Sequence, residues 1–371
     1  MSKRITRQEA LDLFHADLFE VGQRADSVRR EKHRDNIVTY IIDRNINYTN
    51  LCNAYCTFCA FYRPPGDKEE GYVLPNEVIF KKIEETIALG GTGILLQGGD
   101  NPDLPLGYYE TLLREIKRRY KVHTHCFSAP ELVNLANVAH LSIEDMLKRL
   151  VEAGLDSIPG GGAEILDDGV RKRISPLKCT TEEWLNVHRT AHRLGLRTTA
   201  TMMFGCGESL EHRLNHFERI RCLQDEYGGF TAFISWPFQP DNTPLGKKYS
   251  HRTTAIEYLL NQAISRIYLD NIDNIQSSWV TMGPGTGQLG LRFGANDVGS
   301  IMIEENVVSA AGTTYRTTEA ELRSMITAAG FTPMQRTTLY TMKSDSLHGV
   351  GQVIIPVDEP SVADGQALTV S

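Results

Sequence analysis

Three of the seven cysteines, Cys52, Cys56 and Cys59, lie on one short segment with the spacing C-x3-C-x2-C. Three closely spaced thiolates can ligate three irons of a cubane cluster and leave the fourth iron without a protein ligand. An open coordination position on a metal is typical of a catalytic site rather than a structural one. The pattern therefore predicts a 4Fe-4S cluster, held by these three cysteines, within an active site.

Structural zinc is the alternative for this segment, although zinc normally takes four ligands in two C-x2-C pairs. The other cysteines are isolated and are expected to be buried thiols: Cys126, Cys179, Cys206 and Cys222. A non-catalytic iron–sulfur carrier would need four cysteines, and a zinc hydrolase would need histidines and carboxylates at strand ends. The cluster is favoured, with a zinc protein as the alternative.

The elements that must position this segment follow a regular alternation of strand and helix patterns. Strands are predicted at 37–42 extending towards 48, and at 93–97, 122–127, 155–159, 198–204, 230–236, 272–280 and 298–303. Helices are predicted near 75–89, 107–120, 142–153, 180–194, 208–226, 252–270, 284–292 and 318–329. Eight βα pairs predict an α/β fold of the (β/α)8 TIM-barrel type, in which active sites lie on the loops after the strands. A doubly wound open sheet is the alternative, but it usually has a Gly-rich first turn, which is absent here.

The barrel is expected to span residues 37–330, after an N-terminal helical extension over 1–36 and before a short β-rich C-terminal extension and tail over 331–371. The 39 Lys and Arg against 46 Asp and Glu give a net charge of −7, which argues against a nucleic-acid partner. No apolar stretch approaches the ~20 residues that cross a bilayer, and no apolar signal core follows Met1. We therefore expect a cytoplasmic protein with no membrane partner.

The cysteine segment, with Phe58 before its last cysteine, resembles the radical S-adenosylmethionine (SAM) superfamily. The resemblance implies that the open iron chelates the methionine amino and carboxylate groups of SAM, whose cleavage gives a 5′-deoxyadenosyl radical. Gly98-Gly99-Asp100 closes the second strand where the family has Gly-Gly-Glu, and residues 201–208 resemble the adenine region at the fifth strand. The residues implied in SAM binding are Phe58, Gly98, Gly99, Asp100, Ser128, Glu164, Arg173, Met203 and Gly205.

Among these, Ser128 and Glu164 are expected at the ribose hydroxyls, where nearby glycines permit close backbone approach. A tight strand-to-helix turn is the alternative role for the glycines at 160–162. Arg173 is expected to pair with the methionine carboxylate, with Lys178 as a weaker candidate and a solvated arginine as the alternative.

Segments 43–50, 58–63 and 158–164 narrow the resemblance to the group that acts on menaquinone and deazaflavin precursors. Tyr62 and segments 228–233 and 236–243 are most similar to the branch that cyclises dehypoxanthinyl futalosine. Aminofutalosine synthases and the radical subunits of FO synthases stay as alternatives. The resemblance implies hydrogen abstraction from the ribose C4′ of a small nucleoside, attack of that carbon on a benzoate ring, and an electron donor such as flavodoxin or ferredoxin.

A substrate with a carboxylate and a sugar calls for cationic or amide groups and an aromatic wall at the strand ends. The candidates are Tyr62, Arg63, Trp236, Gln239, Gln276, Ser278 and Arg292, each with a core, loop or surface role as its alternative. The catalytic base is not identified. His123 and His125 share one face of the third strand and are weak candidates, with satisfied core histidines as the alternative.

Overall fold

The computed structural model describes residues 4–343, in which ten parallel strands form one sheet that helices surround. The strands are β1 Ile37–Ile41, β2 Asn45–Ile46, β3 Gly93–Leu96, β4 His123–Cys126, β5 Ser157–Ile158, β6 Arg197–Phe204, β7 Phe230–Pro237, β8 Asn274–Gln276, β9 Asp297–Ser300 and β10 Thr332–Gln335. The helices are α1 Arg7–Leu13, α2 Leu18–Lys32, α3 Asn76–Ala88, α4 Leu106–Arg119, α5 Ala129–Ala139, α6 Ile143–Ala153, α7 Asp168–Ile174, α8 Thr181–Arg193, α9 Leu210–Tyr227, α10 Ala255–Tyr268, α11 Trp279–Met282, α12 Pro284–Gly290, α13 Val307–Ala310 and α14 Glu319–Ala328. The eight predicted strands and the barrel-type α/β fold are confirmed.

The sheet curls because β1 and β2 are two parts of one interrupted strand, and the two parts pair with strands at opposite ends of the sheet. β1 pairs with β9 and β10, and β2 pairs with β3. The carbonyl of Ile41 accepts from the N–H of Ile301 at 3.1 Å on one edge, and the carbonyl of Ile42 accepts from the N–H of Thr92 at 3.4 Å on the other. Strand residues that face inward therefore surround a common interior, and the loops after the strands meet at one end.

Two local predictions need correction. The predicted strand over 272–280 ends at Gln276, and the chain turns at once into the short helix α11. Helix α5 was not predicted, although Ser128 and Glu131 form a complete capping box at its start and Pro130 occupies its first turn. The sequence Ser-x-x-Glu before an apolar run is the signal for such a helix start.

The segments outside the predicted barrel pack onto it. Helices α1 and α2 lie against α9 and α10, and Arg4 pairs with Asp225 and Asp270. Within the predicted C-terminal extension, β10 joins the main sheet beside β1 rather than forming a sheet of its own. The remainder of that extension, residues 344–371, lies outside the described residues. Across residues 4–343, no helix is both long and apolar enough to span a membrane.

Candidate active site

A cavity of about 430 Å³ occupies the interior of the barrel and reaches the loops after the strands. Side chains from β1–β4 and β6–β9 line it, together with the loop that follows β5 and the chain after β10. A volume of this size is typical of a small-molecule site, and its position is the one that barrel enzymes use.

All three cysteines of the C-x3-C-x2-C segment line this cavity as free thiols. The Sγ of Cys52 accepts hydrogen bonds from the backbone N–H of Asp100 at 3.3 Å and of Ala54 at 3.5 Å. Burial raises the pKa of Cys52 to about 11, and it also raises the pKa values of Cys56 and Cys59. The free thiols are therefore protonated at neutral pH, and binding of a metal to them would release their protons.

Three free thiols that line one cavity fit an iron–sulfur cluster, in which each thiolate would ligate one iron. Within residues 4–343, no three His, Cys, Asp or Glu side chains are grouped so that they could hold one metal ion. A cubane does not need such a grouping, because each thiolate ligates a different iron. Backbone N–H groups such as the one directed at the Cys52 sulfur tune the potential of an iron–sulfur cluster when that sulfur is one of its ligands.

Gly98 and Gly99 bring the end of β3 into close contact with the cysteine segment. A Cβ on Gly99 would lie 2.2 Å from the carbonyl oxygen of Leu51, so only glycine permits this approach. The carboxylate of Glu131 accepts from the Gly98 N–H at 2.9 Å and from the Tyr48 hydroxyl at 2.8 Å. The predicted pair Gly98-Gly99 thus lies directly beside the cysteines.

Ser128 also lines the cavity, but its hydroxyl donates to Glu131 at 2.6 Å. Glu131 itself was missed by sequence reasoning, although its place in the capping box of α5 was a usable signal.

Glu164 is buried at the cavity wall and is already paired. Its carboxylate contacts Lys178 Nζ at 2.9 Å and Arg171 Nη1 at 3.4 Å. Lys178 lines the cavity, and its Nζ lies 5.4 Å from the ring centroid of Phe58, which belongs to the cysteine segment. Lys178, the weaker of the two cationic candidates, is therefore the one that the fold brings to the cysteines.

Arg173 lies elsewhere, exposed on α7, with its guanidinium donating to the carbonyl of Gly207 at 2.8 Å. The structure does not support its predicted contact with a methionine carboxylate in the cavity. Met203 is buried in the core, and its N–H donates to the carbonyl of Glu164 at 3.0 Å. Gly205 has a φ of +82° and lines a second cleft, beside Glu208, rather than the main cavity.

Among the predicted substrate residues, Tyr62, Trp236, Gln276 and Ser278 line the main cavity. Arg63, Gln239 and Arg292 do not line it. Arg63 donates to the carbonyl of Tyr62 at 2.9 Å and pairs with Glu70. It therefore stabilises the chain that follows the cysteines.

Gln239 is buried, and its side-chain carbonyl accepts from Arg252 at 3.1 Å. Arg292 is exposed and donates to the carbonyl of Ala329 while stacking on Phe331. These three long side chains thus make hydrogen bonds within the protein that the sequence does not indicate.

The two histidines of β4 differ in their surroundings. His125 lines the cavity, and its Nδ1 lies 2.6 Å from the Ser157 hydroxyl, whereas His123 contacts the same hydroxyl at 2.7 Å but lies outside the cavity lining. Burial lowers the pKa of His125 to about 3, so the ring is neutral at physiological pH. Three further charged residues of the lining, Asp43, Glu305 and Arg336, were not predicted as site residues.

Fold and site together define a parallel α/β barrel whose three-cysteine segment opens into a cavity at the carboxyl ends of the strands. Residues 46–220 match the family model of the radical SAM superfamily, and residues 227–349 match that of the CofH/MqnC C-terminal region. The chain belongs to the radical SAM superfamily, in the branch that carries this C-terminal region. Membership implies an iron–sulfur cluster and SAM as cofactors.

The curated relatives place the chain more narrowly. It is 52% identical to a cyclic dehypoxanthine futalosine synthase of Halalkalibacterium halodurans. The 340 aligned residues cover 91% of each chain. It is 45% identical to the Streptomyces coelicolor protein of that name, over 91% of this chain and 85% of the relative. A 5-amino-6-(D-ribitylamino)uracil–L-tyrosine 4-hydroxyphenyl transferase of Archaeoglobus fulgidus is 42% identical, over 90% of this chain and 96% of the relative.

Solved structures with the same fold are more distant in sequence. Methylornithine synthase superposes with a TM-score of 0.69 at 18% identity, over 90% of this chain and 95% of the other. The FeFe-hydrogenase maturase of Carboxydothermus hydrogenoformans superposes with a TM-score of 0.73 at 18% identity, over 91% of this chain and 78% of the other. These likenesses establish the barrel fold.

Proposed function

We propose that this chain cyclises dehypoxanthinyl futalosine to cyclic dehypoxanthinyl futalosine, a step of menaquinone biosynthesis. The observation that carries the proposal is the 52% identity, over 91% of both chains, with the cyclic dehypoxanthine futalosine synthase of Halalkalibacterium halodurans. The barrel cavity supports it, because the cysteine segment and four of the predicted substrate side chains open into the same space.

In this function Cys52, Cys56 and Cys59 hold a 4Fe-4S cluster. The residues that contact SAM beside it are drawn from the cavity wall: Phe58, Gly98, Gly99, Asp100, Ser128, Glu164 and Lys178. Once bound, the cluster and SAM supply a 5′-deoxyadenosyl radical, which removes a hydrogen atom from the ribose C4′ of the substrate. The glycines let the backbone approach SAM closely, and Lys178 offers the cation for its carboxylate.

The remaining lining residues hold the nucleoside. Tyr62 and Trp236 provide aromatic surface, while Gln276 and Ser278 provide hydrogen-bond donors and acceptors. Because a carbon radical reacts with the nearest hydrogen donor, the walls must hold the benzoate ring against C4′ and exclude water.

Electrons for this reaction come from a low-potential carrier, flavodoxin or ferredoxin, as in the family that the chain resembles. The seven cysteines form no disulfide in the structure, which suits a reducing compartment. We infer that the protein works in the cytoplasm with such a carrier.

The function is tested by offering the reconstituted enzyme one substrate at a time under anaerobic conditions with dithionite and SAM. Dehypoxanthinyl futalosine should stimulate 5′-deoxyadenosine formation. The pair 5-amino-6-(D-ribitylamino)uracil and L-tyrosine, which the name of the 42% identical relative suggests, should not. Stimulation by that pair alone would assign the chain to the sister reaction.

A further inference from the structure

Four carboxylates line the barrel cavity, and they differ in the ion pairs and hydrogen bonds that each makes with other groups of the protein. The four are Asp43, Asp100, Glu164 and Glu305. Glu164 is held by Lys178 and Arg171. Glu305 accepts from three successive backbone N–H groups, residues 307–309, at 2.7–3.0 Å, and so fixes the start of α13. A carboxylate committed in this way cannot receive a proton without breaking structure.

Asp100 lies directly beside the cysteine segment, since its backbone N–H donates to the Sγ of Cys52. Asp43 is the remaining carboxylate, and it lies deeper in the barrel. Ile41, Asp43, Asn45 and Asn47 line the cavity in alternation, as side chains of one extended segment do. The intervening Arg44 lies on the outer side, where it pairs with Glu304 at 2.6 Å.

Asn47 lies four positions after Asp43, which corresponds to about 13 Å of extended chain. Asp43 therefore lines a deeper part of the cavity than the cysteine segment does, and a substrate that fills this part would lie within reach of its carboxylate. The lining also includes His125, Gln276 and Ser300 from β4, β8 and β9.

The charged groups around Asp43 leave its carboxylate available. Arg336 is taken by Asp297 in a two-point ion pair of 2.6 and 2.9 Å. His125 is neutral because burial lowers its pKa, and Tyr340 is a phenol whose pKa burial raises. The Ser300 hydroxyl is the hydrogen-bond partner of Asp43. Burial raises the pKa of Asp43 to about 6, so the group can be ionised at neutral pH and still hold a proton well.

We propose that Asp43 is the general base that removes a ring proton after the C4′ radical has attacked the benzoate ring. This inference rests on the proposed function. The C4′–ring carbon bond forms first and leaves an unpaired electron on the ring. The ring C–H bond then breaks, its proton goes to a carboxylate oxygen of Asp43, and its electron pair restores the aromatic ring. The surplus electron needs a one-electron acceptor, which an oxidised iron–sulfur cluster held by the three cysteines would supply.

The test is Asp43→Asn, which keeps the shape and the hydrogen bond with Ser300 but cannot accept the proton. Substrate-dependent formation of 5′-deoxyadenosine should continue, while cyclised product per 5′-deoxyadenosine falls about 100-fold, within the usual effect of losing a general base. The KM for the nucleoside should change little. Glu85→Gln is the matched control, because it removes a carboxylate that pairs with Arg44 on the outer side of the same segment. Its product ratio should equal that of the wild type.

An unchanged product ratio in Asp43→Asn, together with wild-type product formation, would overturn the assignment while leaving the proposed function intact. Absence of product from the wild-type enzyme would instead overturn the function. If the variant does not fold, the wild-type ratio is measured against pH. The ratio should fall below pH 6, where Asp43 becomes protonated, and reach a plateau above pH 7. A flat ratio from pH 5 to pH 8 would equally overturn the role of Asp43.

Discussion

At the three cysteines, burial rather than a charged partner sets the protonation state of the thiols. Under the proposed function each thiol ligates one iron, so replacing any one should abolish retention of the cluster. We expect Cys52→Ala, Cys56→Ala and Cys59→Ala to bind less than a tenth of the wild-type iron while their circular dichroism stays native. Iron and sulfide analysis with the visible spectrum measures this.

Cys222→Ala is the control for these variants, since Cys222 lies outside the cavity lining and is exposed on α9, so the prediction that it is buried is wrong. It should retain the full iron content. An intact 4Fe-4S spectrum in any of the three loop variants would show that the cluster has a different ligand.

The sequence predicts residues best where function requires a fixed spacing on one loop. The cysteines and Gly98-Gly99 lie in the cavity as predicted, because such short segments leave little freedom. Arg173 and Arg292 do not lie there, because a long side chain can turn towards any nearby carbonyl. Asp43 could not be identified from its neighbours alone, since its inward direction depends on the strand alternation of 41–47.

At the scale of elements, the close contact between the end of β3 and the cysteine segment depends on one glycine. In Gly99→Ala, the new Cβ would lie 2.2 Å from the carbonyl oxygen of Leu51 and 2.8 Å from the Cβ of Cys52. Backbone must move to relieve this contact, and the cysteine segment moves with it. We therefore expect at least a tenfold loss of SAM affinity and a lower iron content, measured by equilibrium dialysis with labelled SAM and by iron analysis.

Gly107→Ala serves as the control at this scale. Gly107 lies near the start of α4 and is exposed, and a Cβ added there would meet no neighbouring group within 4 Å. Alanine favours the helix by up to about 1 kcal/mol, so this variant should be neutral or slightly more stable. Equal SAM affinities in Gly99→Ala and Gly107→Ala would show that the close contact at Gly99 does not matter for SAM binding.

At the scale of the whole molecule, a buried ion pair links the C-terminal strand to the barrel. Arg336 follows β10, Asp297 begins β9, and both side chains are almost fully buried. Asp297→Asn removes the carboxylate that pairs with the buried guanidinium at two points, and the loss of one partner of a buried ion pair costs about 3–5 kcal/mol. We expect the free energy of unfolding, measured by urea denaturation, to fall by that amount.

The exposed pair of Asp241 and Arg252 is the matched comparison. Because surface ion pairs contribute about 0–1 kcal/mol, Asp241→Asn should change the free energy of unfolding by less than about 1 kcal/mol. Equal losses of stability in the two variants would show that the buried pair does not hold β10 to the barrel.

The barrel itself could be predicted because each βα unit carries local signals, such as the capping box at Thr180 and the left-handed glycine cap at Gly154. The position of β10 beside β1 could not, since pairing between strands almost 300 residues apart depends on the assembled sheet. The early end of β8 had no clear sequence signal either, because Trp279 and Val280 suit a strand as well as the helix that they form.

The proposed radical chemistry is tested by following the hydrogen atom that leaves the ribose. The reconstituted enzyme is incubated anaerobically with dithionite, SAM and dehypoxanthinyl futalosine that carries deuterium at the ribose C4′. We predict one deuterium in 5′-deoxyadenosine and a nucleoside product that has lost one deuterium and one hydrogen. Unlabelled 5′-deoxyadenosine, or unaltered nucleoside with an intact cluster present, would contradict hydrogen abstraction from C4′ by this enzyme.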